Sequence, residues 1–91
     1  MTDKMFDNNQ VFMMGEVVSP FQFSHEVFGE GFFMVEIAVN RLSNYADYIP
    51  LMVSERLVDT MQDYTGELIS VSARFYLMGR EVEVLSWSAE S

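Results

Sequence analysis

The strongest constraint on this chain is a change of rhythm between Asp47 and Phe75. Ile49, Leu51 and Val53 recur every second residue, the period of a strand burying one face, and Ile69, Val71, Ala73 and Phe75 do the same after Gly66. Between the two runs, Leu57, Val58, Met61 and Tyr64 follow helical spacing. Ser54 stands where an N-cap is wanted, Glu55 suits the positive end of a helix dipole, and Gly66 suits a left-handed C-terminal residue. The spacing predicts one helix over residues 55–64 with a strand on either side.

The rest of the chain alternates. Residues 1–9 are mostly polar and read as a flexible leader. In residues 10–18, Val11, Met13 and Val17 mark one face, and Gly15 interrupts the run where a bulge or sharp bend is expected. After Pro20, Phe21, Phe23, His25 and Val27 alternate with Gln22, Ser24, Glu26 and Phe28. Gly29-Glu30-Gly31 then reads as a hairpin loop into Phe33, Val35, Ile37 and Val39. Residues 41–46 form the next loop. Gly79-Arg80 turns the chain into a last strand, where Val82 and Val84 alternate before Leu85 and Trp87 shift the phase through a bulge. The order is three strands, a helix and two strands, with a first strand bent enough to pair at both ends. That is the order of an all-β, five-stranded OB-fold barrel with one helix between strands 3 and 4, and a five-stranded sandwich with a stray helix is the alternative. A chain of 91 residues supports one core, so residues 10–91 are expected to form a single OB-fold domain.

Five basic residues face 14 acidic ones, and the net charge of −9 repels polyanions at long range. It keeps an aromatic-rich β protein soluble, and a basic partner is the sharper alternative. There is no cysteine and therefore neither a disulfide framework nor a thiolate metal site. The single histidine, His25, has no second ligand at a metal-binding spacing and reads as structural; no metal and no cofactor are expected. The apolar run 32–38 is interrupted by Glu36 and too short to span a bilayer, which points to a soluble, cytoplasmic protein. Glu81 with Glu83 and Asp59 with Asp63 read as solvated faces, and Gly29-x-Gly31 lacks the third glycine and the helix of a phosphate cradle. No enzyme activity and no small-molecule substrate follow from these residues.

Four stretches in register resemble the bacterial single-stranded DNA-binding proteins. Asn9 to Gly15 looks like that family's opening N-x-V-x-L-x-G strand, and Ile37-Ala38-Val39-Asn40-Arg41 like its L-A-V-x-R strand end. Tyr48 to Leu57 has the spacing of its W-x-x-V-x-x-F-x-x-L segment, and Thr65-Gly66 followed by Ile69, Val71 and Ala73 resembles its helix exit. The chain departs from the pattern near its end. Met78-Gly79-Arg80 stands where the family has a longer basic loop, and Ala89-Glu90-Ser91 where it has an acidic, Phe-ending tail, so recruitment of repair enzymes through such a tail is not expected.

The resemblance implies a non-enzymatic protein of DNA replication, recombination or repair that binds single-stranded DNA, with RNA as the alternative ligand. Sequence-tolerant binding of this kind needs aromatic faces for stacking and cations along the backbone track. Alternation turns Phe32, Met34, Glu36, Ala38 and Asn40 outward on one strand, Tyr48, Pro50 and Met52 on the next, and Arg74 and Tyr76 on the fourth, with Arg41 and Tyr45 in the adjoining loop. The expected nucleic-acid-binding set is therefore Phe32, Asn40, Arg41, Tyr45, Tyr48, Met52, Arg74 and Tyr76. Tyr48 stands where the family commonly carries a base-stacking tryptophan. Glu36 is unfavourable on this face unless Arg74 or Arg41 neutralises it. Outward apolar residues, Phe32 and Met34 above all, equally suit the interface of a homodimer or homotetramer, and Trp87 suits the core or an interface. An OB-type interaction module with little nucleic-acid affinity is the competing function, favoured by the charge and the short final loop.

Overall fold

The computed structural model of the protein describes residues 10–41, 44–75 and 82–89. They form six strands: β1 (Gln10–Val17), β2 (Gln22–Val27), β3 (Glu30–Asn40), β4 (Ala46–Ser54), β5 (Leu68–Phe75) and β6 (Val82–Ala89). The strands run β1-β5-β6-β4-β3-β2 across one sheet, and a further β1–β3 pairing closes five of them into a barrel with β2 carried on the outside of β3. The leader 1–9, the turn at Gly79-Arg80 and the chain end at Glu90-Ser91 lie outside the described residues.

β1 does both of the jobs expected of a bent first strand. It pairs with β5 without a break from Gln10 to Glu16, then passes to β3 through Glu16↔Ala38 and Val17↔Ile37. Gly15 sits at the changeover, and the reason is proximity rather than a bulge: a Cβ there would come within 2.7 Å of the Ala38 carbonyl oxygen. The other side of the barrel is closed by a short parallel seam, Leu51↔Val82 and Met52↔Glu83, between β4 and β6. The expected phase shift in β6 is present, since Ser72 pairs with Ser86 but Ala73 with Val84, leaving Leu85 bulged. Val82, Val84 and Trp87 can then all face inward.

The predicted helix over 55–64 does not form; the segment is a chain of turns, and no helix occurs among the described residues. Short polar side chains capture the amides that a helix would bond four residues back. Ser54 Oγ still accepts from Arg56 N at 3.1 Å, as an N-cap would, but Asp59 Oδ1 takes Met61 N at 3.0 Å and Asp63 Oδ1 takes Thr65 N at 3.0 Å. Leu57 N and Gln62 N donate three residues back, to Ser54 O and Asp59 O. A ten-residue segment has few helical bonds with which to offset nucleation, so these local alternatives win. The hydroxyl of Thr65, and then its amide, hold the Asp63 carboxyl below its usual range. Of the four apolar residues taken for a helix face, Val58 and Tyr64 pack on the core while Leu57 and Met61 are exposed.

Inside the barrel, Val17, Val35, Ile37, Leu51, Val53, Ile69, Val71, Ala73, Val82 and Val84 are buried together. One end is closed by Phe21, Tyr64 and Trp87, whose ring centroids lie 5.5–5.8 Å apart. The turn segment thus packs Val58 and Tyr64 against the core although no helix forms there.

Candidate nucleic-acid interface

The β3–β4 ladder is antiparallel and unbroken, so the outward side chains are paired by register: Phe32 with Ser54, Met34 with Met52, Glu36 with Pro50 and Ala38 with Tyr48. Of the residues that alternation turned outward, Tyr48 is exposed while Met52 is buried, and the register divides the expected site in two. Phe32 lies opposite Ser54, six residues along β4 from Tyr48, or about 20 Å at the usual strand rise.

The first group stands at the β3–β4 loop. Arg41 N donates to Tyr45 O at 2.7 Å, and Asn44 adopts φ 68° to let the loop close. Tyr45 and Tyr48 are 69% and 62% exposed, too open for core residues, with Asn40 beside them on the end of β3. Arg41 Nε lies 3.1 Å from Asp47 Oδ2. Two exposed phenol rings and a guanidinium thus share one end of the sheet.

The remaining candidates are placed differently. Met52 is only 9% exposed, set between Met34 on β3 and Glu83 on β6, and offers a base no surface. Arg74 lies two strands away from β4, across Glu83, at 4.0 Å from that carboxylate. Neither arginine approaches Glu36: Arg41 is paired with Asp47 and Arg74 with Glu83. Tyr76 lies outside the described residues. Phe32 is half-buried under His25, so the subunit contact expected at Phe32 and Met34, which is also half-buried, has little free surface there.

Electrostatically the face is self-neutralised. Arg41, Arg56 and Arg74 are the described cations, and each stands 3.1–4.0 Å from a carboxylate. Exposed pairs of this kind are worth about 0–1 kcal/mol, so a phosphate can displace the carboxylate, but the gain from doing so is small.

Two residues that sequence reasoning passed over stand at the far end. His25 stacks on Phe32, and Phe28 projects from the tip of the β2–β3 hairpin. The turn is Phe28-Gly29, with φ of 50° and 83°, and not the expected Gly29-Glu30-Gly31, of which Glu30 and Gly31 already belong to β3. The glycine at 29 marked the turn, but nothing in the sequence showed that a phenylalanine would take the other left-handed position.

Five strands closed by β1 against β3 and by a parallel pair between β4 and β6 define an OB-fold barrel. No family model and no curated protein matches the chain. Among solved structures it is similar to the dimeric structure of the N-terminal domain of PriB protein from Thermoanaerobacter tencongensis. The two are 34% identical over 92% of this chain and 98% of that one, with a TM-score of 0.80. The chain belongs to the family of that PriB domain, the OB-fold single-stranded DNA-binding proteins.

Proposed function

We propose that this protein binds single-stranded DNA without catalysing a reaction, in DNA replication, recombination or repair, by stacking bases on Tyr48 and Tyr45 with Arg41 at the adjoining phosphate. The observation that carries the reading is Tyr48 itself: a 62% exposed ring on the outer face of the barrel, opposite the small side chain of Ala38 and therefore open on top. Family membership supports it. The protein acts as a homodimer in this reading, as the PriB domain is described as dimeric. The exposed apolar surface for a second copy lies on β1 and β5, at Phe12, Met14 and Leu68.

A titration of fluorescent oligothymidine across a salt series tests the function. Saturable binding of modest affinity is expected, with a shallow slope of about −2 per protomer, because the chain has few cations and each of the three described ones is already paired. Undetectable binding at low salt would eliminate this reading. The three occupied arginines are the observation that favours the alternative, an OB-type interaction module with little affinity for nucleic acid.

A further inference from the structure

The end of the β3–β4 face opposite Tyr48 carries an aromatic pair that the core does not use. β2 is bulged at Ser24, for the ladder steps from Phe23↔Phe33 to His25↔Phe32. Phe23 turns toward Phe33, so unbroken alternation would place Ser24 over Phe32; the bulge brings the imidazole there instead. It lies flat on the Phe32 ring, with centroids 5.0 Å and planes 10° apart, whereas the other ring contacts among the described residues are edge-on or tilted. Ser24 Oγ, 2.9 Å from His25 Nδ1, holds the ring in that plane. His25 is exposed, and the pile therefore ends at solvent.

Phe28 adds a second, independent oddity. It is fully exposed, at 104%, and takes a left-handed backbone beside Gly29, the turn geometry in which Asn-Gly is preferred. A bulky side chain is strained there and buries nothing in return, so neither propensity nor packing accounts for it. The hairpin that carries it is rigidly rooted. Gly31 N donates to Glu55 Oε2 at 2.9 Å, Glu55 N donates to Gly31 O at 2.9 Å, and the Ser54 hydroxyl donates to Glu30. Arg56 stands 3.5 Å from Glu30 at this end, as Arg41 stands against Asp47 at the other.

We propose that the hairpin is a second stacking site for the same single strand, with one base lying on His25 above Phe32 and a further base meeting Phe28. The inference rests on the reading of Tyr48 as a single-strand platform and extends the track along β3. The separation of about 20 Å between Phe32 and Tyr48 corresponds to roughly six nucleotides at the stacked rise of about 3.4 Å. Only oligonucleotides longer than that reach both sites.

Anisotropy titrations with oligothymidines of about four and about twelve nucleotides test the proposal. His25→Ala is expected to weaken binding of the longer oligonucleotide about tenfold and that of the shorter less than about twofold, and His25→Phe, which still stacks, to restore the difference. Phe28→Asn installs the preferred turn residue; it is expected to raise the melting temperature while weakening binding of the longer oligonucleotide alone. The proposal is overturned if both variants bind the longer oligonucleotide as the wild type does. It is equally overturned if the losses are the same at both lengths and follow a fall in melting temperature, which is the mark of a merely structural role. If the wild type binds neither oligonucleotide, the single-strand reading itself falls and takes this site with it.

Discussion

Two outward surfaces of the barrel expose large apolar side chains, and their surroundings differ. On the β3–β4 side, Tyr45 and Tyr48 are aromatic with a polar tip and stand beside Arg41. On the β1–β5–β6 side, Phe12 is 84% exposed with Met14 next to it, and the groove they border is lined otherwise by Met13, Val71 and the serines Ser70, Ser72, Ser86 and Ser88, none of them charged. Ser72 and Ser86 share a hydrogen bond of 2.7 Å across the strands, which keeps their hydroxyls satisfied against the sheet. Exposure alone therefore does not tell a ligand face from a subunit face. A ring with a cation suits a base and its phosphate, whereas an uncharged ridge beside a shallow strip of small side chains suits a second copy of the same surface.

The largest effect that separates the two faces is expected from Phe12→Glu. A carboxylate placed at an apolar contact should weaken self-association by at least about a hundredfold, roughly 2.7 kcal/mol, measured by sedimentation equilibrium, with binding of a short oligonucleotide unchanged. An unaltered dimer would move the contact off β1. Next comes Tyr48→Ala, for which we expect a loss of about 1–3 kcal/mol in oligonucleotide binding at nearly constant melting temperature. Equal losses in stability would make Tyr48 a packing residue and erase the distinction between the faces. A smaller change, in the opposite direction, is expected of Asp47→Asn. Freed from its partner, Arg41 should bind phosphate more tightly by about 0.5 kcal/mol, and the salt slope should steepen by about 0.7. An unchanged slope would show that Arg41 does not meet the strand. The smallest effect lies away from both faces. Asp63 titrates below its usual range because Thr65 donates to it, so its contribution to stability is present above the unfolded-state pKa and is lost as the pH falls through the lower folded one. Thr65→Val should return that titration toward the ordinary carboxylate range, followed by the Asp63 carboxyl resonance in NMR, while leaving both faces as they are.

The barrel was legible in the sequence because a strand with one wet face must alternate, as β5 does, and because the inward positions of β3 and β4 recur every second residue. Even the bulge at Leu85 announced itself, since Val84 and Trp87 cannot both face inward without an extra residue between them. The helix was misread because apolar spacing says which residues want burial but not whether nearby side chains will compete for the backbone. Asp59 and Asp63 did compete, each binding the amide two residues on. The site was half legible for a related reason. Alternation fixes the side of the sheet and carries no information about distance along it, so Phe32 and Tyr48 were grouped although the register sets them at opposite ends. The stacked His25 depends on the irregular step at Ser24, which leaves no periodic trace.

The parallel seam between β4 and β6 has a consequence for how the barrel breathes. Among the described residues the β3–β4 ladder runs through nine residue pairs, from Phe32↔Ser54 to Asn40↔Ala46, whereas each closure of the barrel rests on two: Leu51↔Val82 and Met52↔Glu83 between β4 and β6, Glu16↔Ala38 and Val17↔Ile37 between β1 and β3. Local opening follows the weakest contiguous sets of contacts, so the barrel should part at one of these closures before it parts along the β3–β4 ladder. Amide protons donated across such a closure should exchange with solvent orders of magnitude faster than those donated within the β3–β4 ladder, at a rate set by a partial opening and not by global unfolding. Where β4 and β6 part, β6 stays held to β5 through Ile69↔Ala89 and its neighbours, and the closed cylinder becomes for a moment a curled, open sheet.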